Sequence, residues 1–184
     1  RMSLQANIYH SREENFALWG RGLFYGTEAE AQRLLRPIVS LGGCRLTLEY
    51  LPFHDAITKI GSIYPDSEKF QATGRFVISP LTSREIYETA GLIREIPPGS
   101  VYSSLNLYAL GGRVSKKAPH ETAFFYRSAE YILLIQTVWE EAQDAPENRR
   151  WLNRKFRYLE SVTQGSYVNF PYSRLPDYME AYYG

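Results

Sequence analysis

Cysteine is nearly missing: Cys44 stands alone among 184 residues, which excludes an internal disulfide and any multi-thiolate zinc site. A lone thiol fits a reducing compartment, and a cytoplasmic location is expected. Histidine is almost as scarce. His10, His54 and His120 are scattered, with no pair at metal-ligand spacing, so no metal is expected. An excess of either charge is missing too. Twenty-one Lys and Arg against 20 Asp and Glu leave a net charge of +1, and no basic block is longer than Lys116-Lys117 or Arg149-Arg150. A nucleic acid would require a clustered positive face, so none is expected as a partner. Long apolar runs are also lacking. The longest, residues 131–135, is far short of the roughly 20 residues a membrane span requires, and no membrane partner is expected.

Glycine is present but not as a nucleotide loop. Gly20, Gly22 and Gly26 are spaced one residue too widely for the dinucleotide fingerprint, and no Gly-Lys-Ser/Thr follows, so they read as a bulge or close backbone approach within a strand. Arg1 precedes Met2, and Gly184 comes straight after a cluster of aromatics. These ends suggest one domain, residues 1–184, cut from a longer polypeptide.

What the chain does have is a sheet core. Residues 101–110 and 131–139 are runs of β-favouring residues, with a shorter run at 122–127 between them, a Gly111-Gly112 turn, and Pro119 to forbid one continuous helix. Residues 4–10, 16–25 and 70–78 read as further strands. In residues 45–51, Leu46, Leu48 and Tyr50 alternate with polar residues, which predicts a half-buried strand. Capping boxes at Thr27-Glu-Ala-Glu30 and Thr82-Ser-Arg-Glu85 predict helices over 28–36, with Leu34 and Leu35 inward and Pro37 at its end or kink, and from 83 to about 96. A short helix is expected around 54–60. The longest helix, 144–162, shows Trp151, Leu152, Phe156, Leu159 and Val162 on one face and Arg149, Arg150, Arg154 and Arg157 on the other, with Gly165 as its C-cap. Strands joined by short turns and helices with one apolar stripe each predict an α+β fold, an antiparallel β-sheet with helices packed on one face. Aromatics make up 15% of the chain, and some of them are expected on the sheet face away from the helices.

The order of parts narrows the reading further. A strand ends in Gly111-Gly112-Arg113, a polar loop follows, then Ala123-Phe-Phe-Tyr-Arg127 and an apolar strand ending in Trp139. After the long helix come Gly165-Ser-Tyr-Val-Asn-Phe170 and Ala181-Tyr-Tyr-Gly184. Together these cover about the last half of the chain. They resemble the substrate-binding domain of berberine-bridge-enzyme-like FAD-linked oxidoreductases, including that family's Gly-x-Tyr-x-Asn-aromatic and Tyr-Tyr-Gly motifs.

The resemblance implies an antiparallel sheet roofing a flavin (FAD) that is held mainly by a separate FAD-binding domain of the same polypeptide. It also implies transfer of a hydride from an alcohol, a sugar or another secondary or allylic alcohol, to that flavin. The fragment alone is then expected to be inactive. The implied catalytic candidates are Tyr167, Tyr172 and Gln136, the one strongly polar side chain of its strand. Asn169 and Phe170 are the implied cofactor contacts, and Phe170 replaces a second tyrosine present in many members. Cys44 is expected to be a small buried residue rather than a flavin tether. Arg75, Arg113 and Arg127 could orient an anionic substrate, although scaffold roles suit each. His120 could face the mouth of a pocket. The residues alone leave a second reading open, a non-catalytic small-molecule-binding or dimerisation module with an aromatic face.

Overall fold

The computed structural model describes residues 2–184. Five strands form one sheet: β1 (Met2–Ser11), β2 (Ala17–Phe24), β3 (Lys69–Val77), β4 (Ser100–Ala109) and β5 (Tyr131–Trp139), in spatial order β2-β1-β4-β5-β3. The pairings β1 with β4, β4 with β5 and β5 with β3 are antiparallel. The architecture is the expected α+β. By contact density the chain divides into a larger unit, Leu4–Arg21 with Glu68–Gly184, and a smaller one built on Gly22–Ser67.

In the larger unit the sequence periods set the two faces of the sheet. Residues that pair across the ladder share a face, because side chains alternate along each strand. Ile8, Leu105, Ile135 and Thr73 stand in one cross-strand row, with Leu107 and Leu133 in the next. This face meets α4 (Ala145–Val162) and the stretch after α3 (Ser83–Gly91). Leu105, Leu133, Ile135 and Val77 are buried against Leu92, Ile93, Trp151, Leu152, Phe156 and Leu159. The Trp151 indole N–H donates to the Glu95 carbonyl at 3.0 Å. The fully buried Asn148 accepts from the Thr137 hydroxyl at 2.6 Å and donates to the Asp144 and Pro98 carbonyls. These bonds satisfy the polar groups that docking would otherwise strand. Arg149, Arg150, Arg154 and Arg157 face outward, as the stripe predicts.

Several local expectations are corrected. The helix from Thr82 ends at Gly91 rather than near residue 96, and the turns that follow carry Ile93 into the core. Residues 122–127 form turns, with Arg127 N–H donating to the Phe125 carbonyl, and not a strand. The C-cap of α4 is Thr163, not Gly165. A last helix, α5 (Tyr178–Tyr183), closes the chain.

In the smaller unit, α1 (Glu28–Val39) starts at the complete Thr27/Glu30 capping box and runs through Pro37 without ending there. Leu34 is half-exposed instead of turned inward. The helix expected around 54–60 is α2 (Phe53–Gly61). Residues 45–51 form no strand. Their alternation finds no ladder to join, and Tyr50 is 95% exposed. Cys44 is exposed, not buried.

Candidate functional site

The face of the sheet opposite α3 and α4 is the one that aromatics and amides occupy. Its rows follow from the register. Tyr108, Ile132 and Phe76 stand in one row with Gln5, and Asn106, Leu134 and Gly74 stand in the next with Asn7. Ser104, Gln136 and Ala72 follow with Tyr9, then Tyr102, Val138 and Phe70 with Ser11. One end is thus aromatic and the β1 side is a lattice of amides and hydroxyls.

The lattice is closed on itself. The Tyr102 hydroxyl donates to Asn7 Oδ1 at 3.2 Å, and Asn7 Nδ2 and Gln5 Nε2 both donate to Asn106 Oδ1. Asn106 Nδ2 in turn donates to Ser104 Oγ at 2.9 Å, and Arg21 Nε donates to Gln5 Oε1 at 3.1 Å. Asn7, Ser104 and Asn106 are buried, so these bonds are what permit amides at those positions. Burial pushes the Tyr102 phenol up. Tyr9 stacks on Tyr102 with ring centres 5.5 Å apart, and its hydroxyl donates to the Glu14 carboxylate, which pushes the Tyr9 phenol up to about 12.

Gln136 differs from every other amide in these rows. It is half-buried, and its side chain has no hydrogen-bond partner among the described residues. It presents one donor group and one acceptor to whatever lies over the sheet.

The aromatic end is built by the segment after α4. Residues 164–170 lie along the outer edge of β3. Gln164 and Phe76 exchange backbone bonds of 2.9 and 3.0 Å, Tyr167 N–H donates to the Gly74 carbonyl at 2.8 Å, and Gly74 N–H donates to the Phe170 carbonyl at 3.4 Å. Gly74 permits this approach: a Cβ there would lie 3.0 Å from Phe170 Cδ2 and 3.1 Å from Ile132 Cγ2. The Tyr167 ring meets Phe76 edge-on at 5.9 Å and Phe170 at 5.4 Å, and Phe170 leans on Tyr108 at 5.7 Å. Asn169 is exposed, and its Nδ2 donates to the Tyr167 hydroxyl oxygen at 3.0 Å. The two C-terminal motifs also meet. Ser166 N–H donates to the Ala181 carbonyl at 2.7 Å, and the Tyr126 hydroxyl reaches the same carbonyl at 2.7 Å.

Gln136 is thereby brought onto the same sheet face as Tyr167, Asn169 and Phe170. Tyr167 packs at the Phe76–Ile132 row, and Gln136 stands four residues along β5 from Ile132, roughly 13 Å at about 3.3 Å per residue. Tyr172 is not brought to that face. It packs against Phe156 with ring centres 4.1 Å apart, and its hydroxyl donates to Asn153 Oδ1 at 2.8 Å, behind the sheet with α4. Arg75 likewise points behind the sheet. Its guanidinium bonds Thr163 Oγ1 at 2.7 Å, Ser166 Oγ at 3.2 Å and the Thr163 carbonyl at 3.4 Å, and lies over the Phe156 ring. His120 is exposed beside Phe125.

The lattice of Asn7, Tyr102, Ser104 and Asn106 was not foreseen. Its signal was in the sequence, however. In β4, Tyr102, Ser104, Asn106 and Tyr108 alternate with Ser103, Leu105 and Leu107, and in β1, Gln5, Asn7 and Tyr9 alternate with Ala6 and Ile8.

No protein-family model matches the chain. A curated FAD-linked oxidoreductase of Bacillus subtilis, YgaK, itself uncharacterized, is 30% identical over 165 residues, covering 89% of this chain. Among solved structures, BBE-like 1 of Physcomitrella patens superposes with a TM-score of 0.79 at 20% identity, over 98% of this chain and 41% of its own. The berberine bridge enzyme of Eschscholzia californica does so with a TM-score of 0.79 at 17% identity, over 95% of this chain and 38% of its own. The resemblance to berberine-bridge-enzyme-like FAD-linked oxidoreductases holds. It extends beyond the motif-bearing half of the chain, because the aligned portion covers β1 to α5 almost completely. The chain spans 36% of the length of YgaK.

Proposed function

We propose that this chain is the substrate-binding part of an FAD-dependent oxidoreductase that transfers a hydride from an alcohol, a sugar or another secondary or allylic alcohol, to flavin. The observation that carries the reading is the uncommitted Gln136 amide on a sheet face whose other amides are all engaged, with Tyr167 and Asn169 held over the same face. Those groups fit one wall of a flat ring with polar edges. Gln136 offers a donor and an acceptor, Asn169 Oδ1 a further acceptor, and Phe170 and Tyr108 an aromatic floor. They do not fit a pyrophosphate, for which the sequence has no glycine-lysine loop. The rest of the cofactor is therefore assigned to an FAD-binding domain of a longer polypeptide, which would leave this piece inactive by itself. When bound, FAD supplies the two-electron acceptor.

In this chain the Tyr167 hydroxyl would take the proton of the substrate hydroxyl while releasing its own to solvent, and Asn169 Nδ2, which donates to the Tyr167 oxygen, would fix the orientation of that oxygen. Gln136, four residues along β5 from the row where Tyr167 packs, would hydrogen-bond a polar edge of the ligand away from that hydroxyl, and Phe170 would pack against the ring system. Tyr172, behind the sheet, keeps a part in this scheme only by supporting the segment that carries Tyr167 and Phe170. The reading is of a cytoplasmic enzyme that acts on a small molecule. No helix among the described residues is long and apolar enough to cross a membrane.

The test is to express the full reading frame that encodes this chain and follow bleaching of the oxidised flavin band with a panel of sugar and allylic alcohols. Tyr167→Phe should slow flavin reduction roughly 10²-fold, while Gln136→Leu should weaken it with little change in thermal stability. Unchanged reduction rates in both variants would end the assignment. A purified full-length product without flavin would favour the binding-module reading.

A further inference from the structure

Behind the sheet, on the side of α4, a groove of about 650 Å³ opens between the edge of β3, the outer turns of α4 and the segment from Pro171 to Tyr182. It opens at the β3 edge: Gln71, which lines it, is paired with Thr137 in the row that faces the helices, and Phe70, at its rim, belongs to the last row of the open face. Its volume is that of a small-molecule site. The chemistry of its lining is specific in three respects.

First, two guanidinium groups, Arg149 and Arg174, stand at the groove with no carboxylate in ion-pair reach among the described residues, although Arg150 and Arg154 of the same helix both pair with Glu147. Second, the Gln71 side-chain oxygen is buried with no donor, an arrangement that costs free energy unless something supplies an N–H or O–H. Asn153 uses its oxygen on the Tyr172 hydroxyl, which leaves its amide N–H group unused at the same wall. Third, Tyr178 and Tyr182 present two rings 6.4 Å apart at a 54° tilt, a wall suited to a flat body. Tyr182 is held there because its hydroxyl accepts from Tyr172 N–H at 2.9 Å.

We propose that this groove binds a small aromatic carboxylate carrying a hydroxyl group. The carboxylate pairs with Arg149 and Arg174, the ring lies against Tyr178 and Tyr182, and the hydroxyl donates to Gln71 Oε1. The site is separate from the face proposed to meet flavin, so it stands whether or not that assignment does.

Isothermal titration of the 184-residue chain with 4-hydroxybenzoate tests it, with 4-hydroxybenzamide and benzoate as comparison probes. The acid should bind about tenfold more tightly than the neutral amide, and Arg174→Gln should remove about tenfold of that affinity, while Arg154→Gln should not. Gln71→Leu should abolish the preference for 4-hydroxybenzoate over benzoate and leave benzoate binding unchanged. Circular dichroism and Tm of each variant establish that it is folded. Equal affinity for the acid and the amide, an unaltered affinity in Arg174→Gln, or no binding heat at millimolar probe would overturn the proposal.

Discussion

Gly165 opens the motif segment, and its replacement by alanine should be among the costliest single-methyl additions in the larger unit. Two effects act together. Gly165 has φ +54°, a left-handed conformation that costs a residue with a Cβ about 1–2 kcal/mol. A Cβ there would also lie 2.0 Å from Tyr126 Cζ and 2.2 Å from its hydroxyl oxygen, so the ring must leave. Tyr126 stacks on Phe76 at 4.3 Å with a 19° interplanar angle and bonds the Ala181 carbonyl. Losing the stacking costs about 0.5–1.5 kcal/mol. Losing the hydrogen bond costs about as much again. The expected total is about 2–5 kcal/mol. Gly112 supplies the control, with φ +56° and nothing within 4 Å of its Cβ, so Gly112→Ala should show the backbone part alone. Urea unfolding of both variants, with Tm falling about 2–4 °C per kcal/mol, separates the two effects. In a Tyr126→Ala background, Gly165→Ala should cost no more than Gly112→Ala. Equal losses for Gly165→Ala and Gly112→Ala in the otherwise unchanged chain would refute the packing of Tyr126 against this segment.

Other perturbations test other parts of the structure. Arg75→Met removes a guanidinium that bonds Thr163 and Ser166 in the core, and should cost about 2–4 kcal/mol in urea unfolding; a loss under about 1 kcal/mol would contradict that network. The Tyr9 phenol, bonded as a donor to Glu14, is favoured in its neutral form. Its contribution to stability is therefore fully present below the ordinary tyrosine value and lost as pH rises through about 12. Among the phenols that ionise late, Tyr102 included, tyrosinate absorbance should show a component that Tyr9→Phe removes and Glu14→Gln moves to lower pH; no difference between Glu14→Gln and the parent would sink this.

Much of the sheet could be read from the sequence because its strands carry their own period. In β4 and β5 the alternation also divides one face from the other, and the ladder that joins them keeps the register a hairpin-like arrangement imposes. Residues 45–51 carry the same alternation and form no strand, because a strand also requires a neighbour's free edge, which no local pattern encodes. Residues 122–127 are rich in β-formers, yet their aromatics are used to fold Phe124 and Tyr126 over Phe76, which only turns allow. Gln136 was legible as a polar residue on an apolar strand, and Tyr167 and Asn169 through their motif. The position of Tyr172 was not. After Pro171 the backbone has no repeat, and nothing in its residue order says that it passes behind the β3 edge to reach Phe156.

The division of labour between the two ends of the open sheet face follows from what each leaves unsatisfied. An amide lattice buried within a sheet is tolerable only if each member is bonded, and Gln5, Asn7, Ser104, Asn106 and Tyr102 meet that condition with one another. Such a lattice is stiff, since moving one amide strands its neighbour. It borders Gln136 through Ser104, its cross-strand partner, so Gln136 stands on a wall that does not yield to it. At the other end Gly74 lets Phe170 settle onto β3, which fixes Tyr167 by backbone bonds on one side and ring contacts on the other. A ligand over this face thus meets one free amide and one oriented phenol on supports already locked. That is the condition under which hydrogen bonds spend little free energy on ordering the protein. Substituting Ser104 or Asn106 should accordingly weaken binding at Gln136 without either residue touching the ligand.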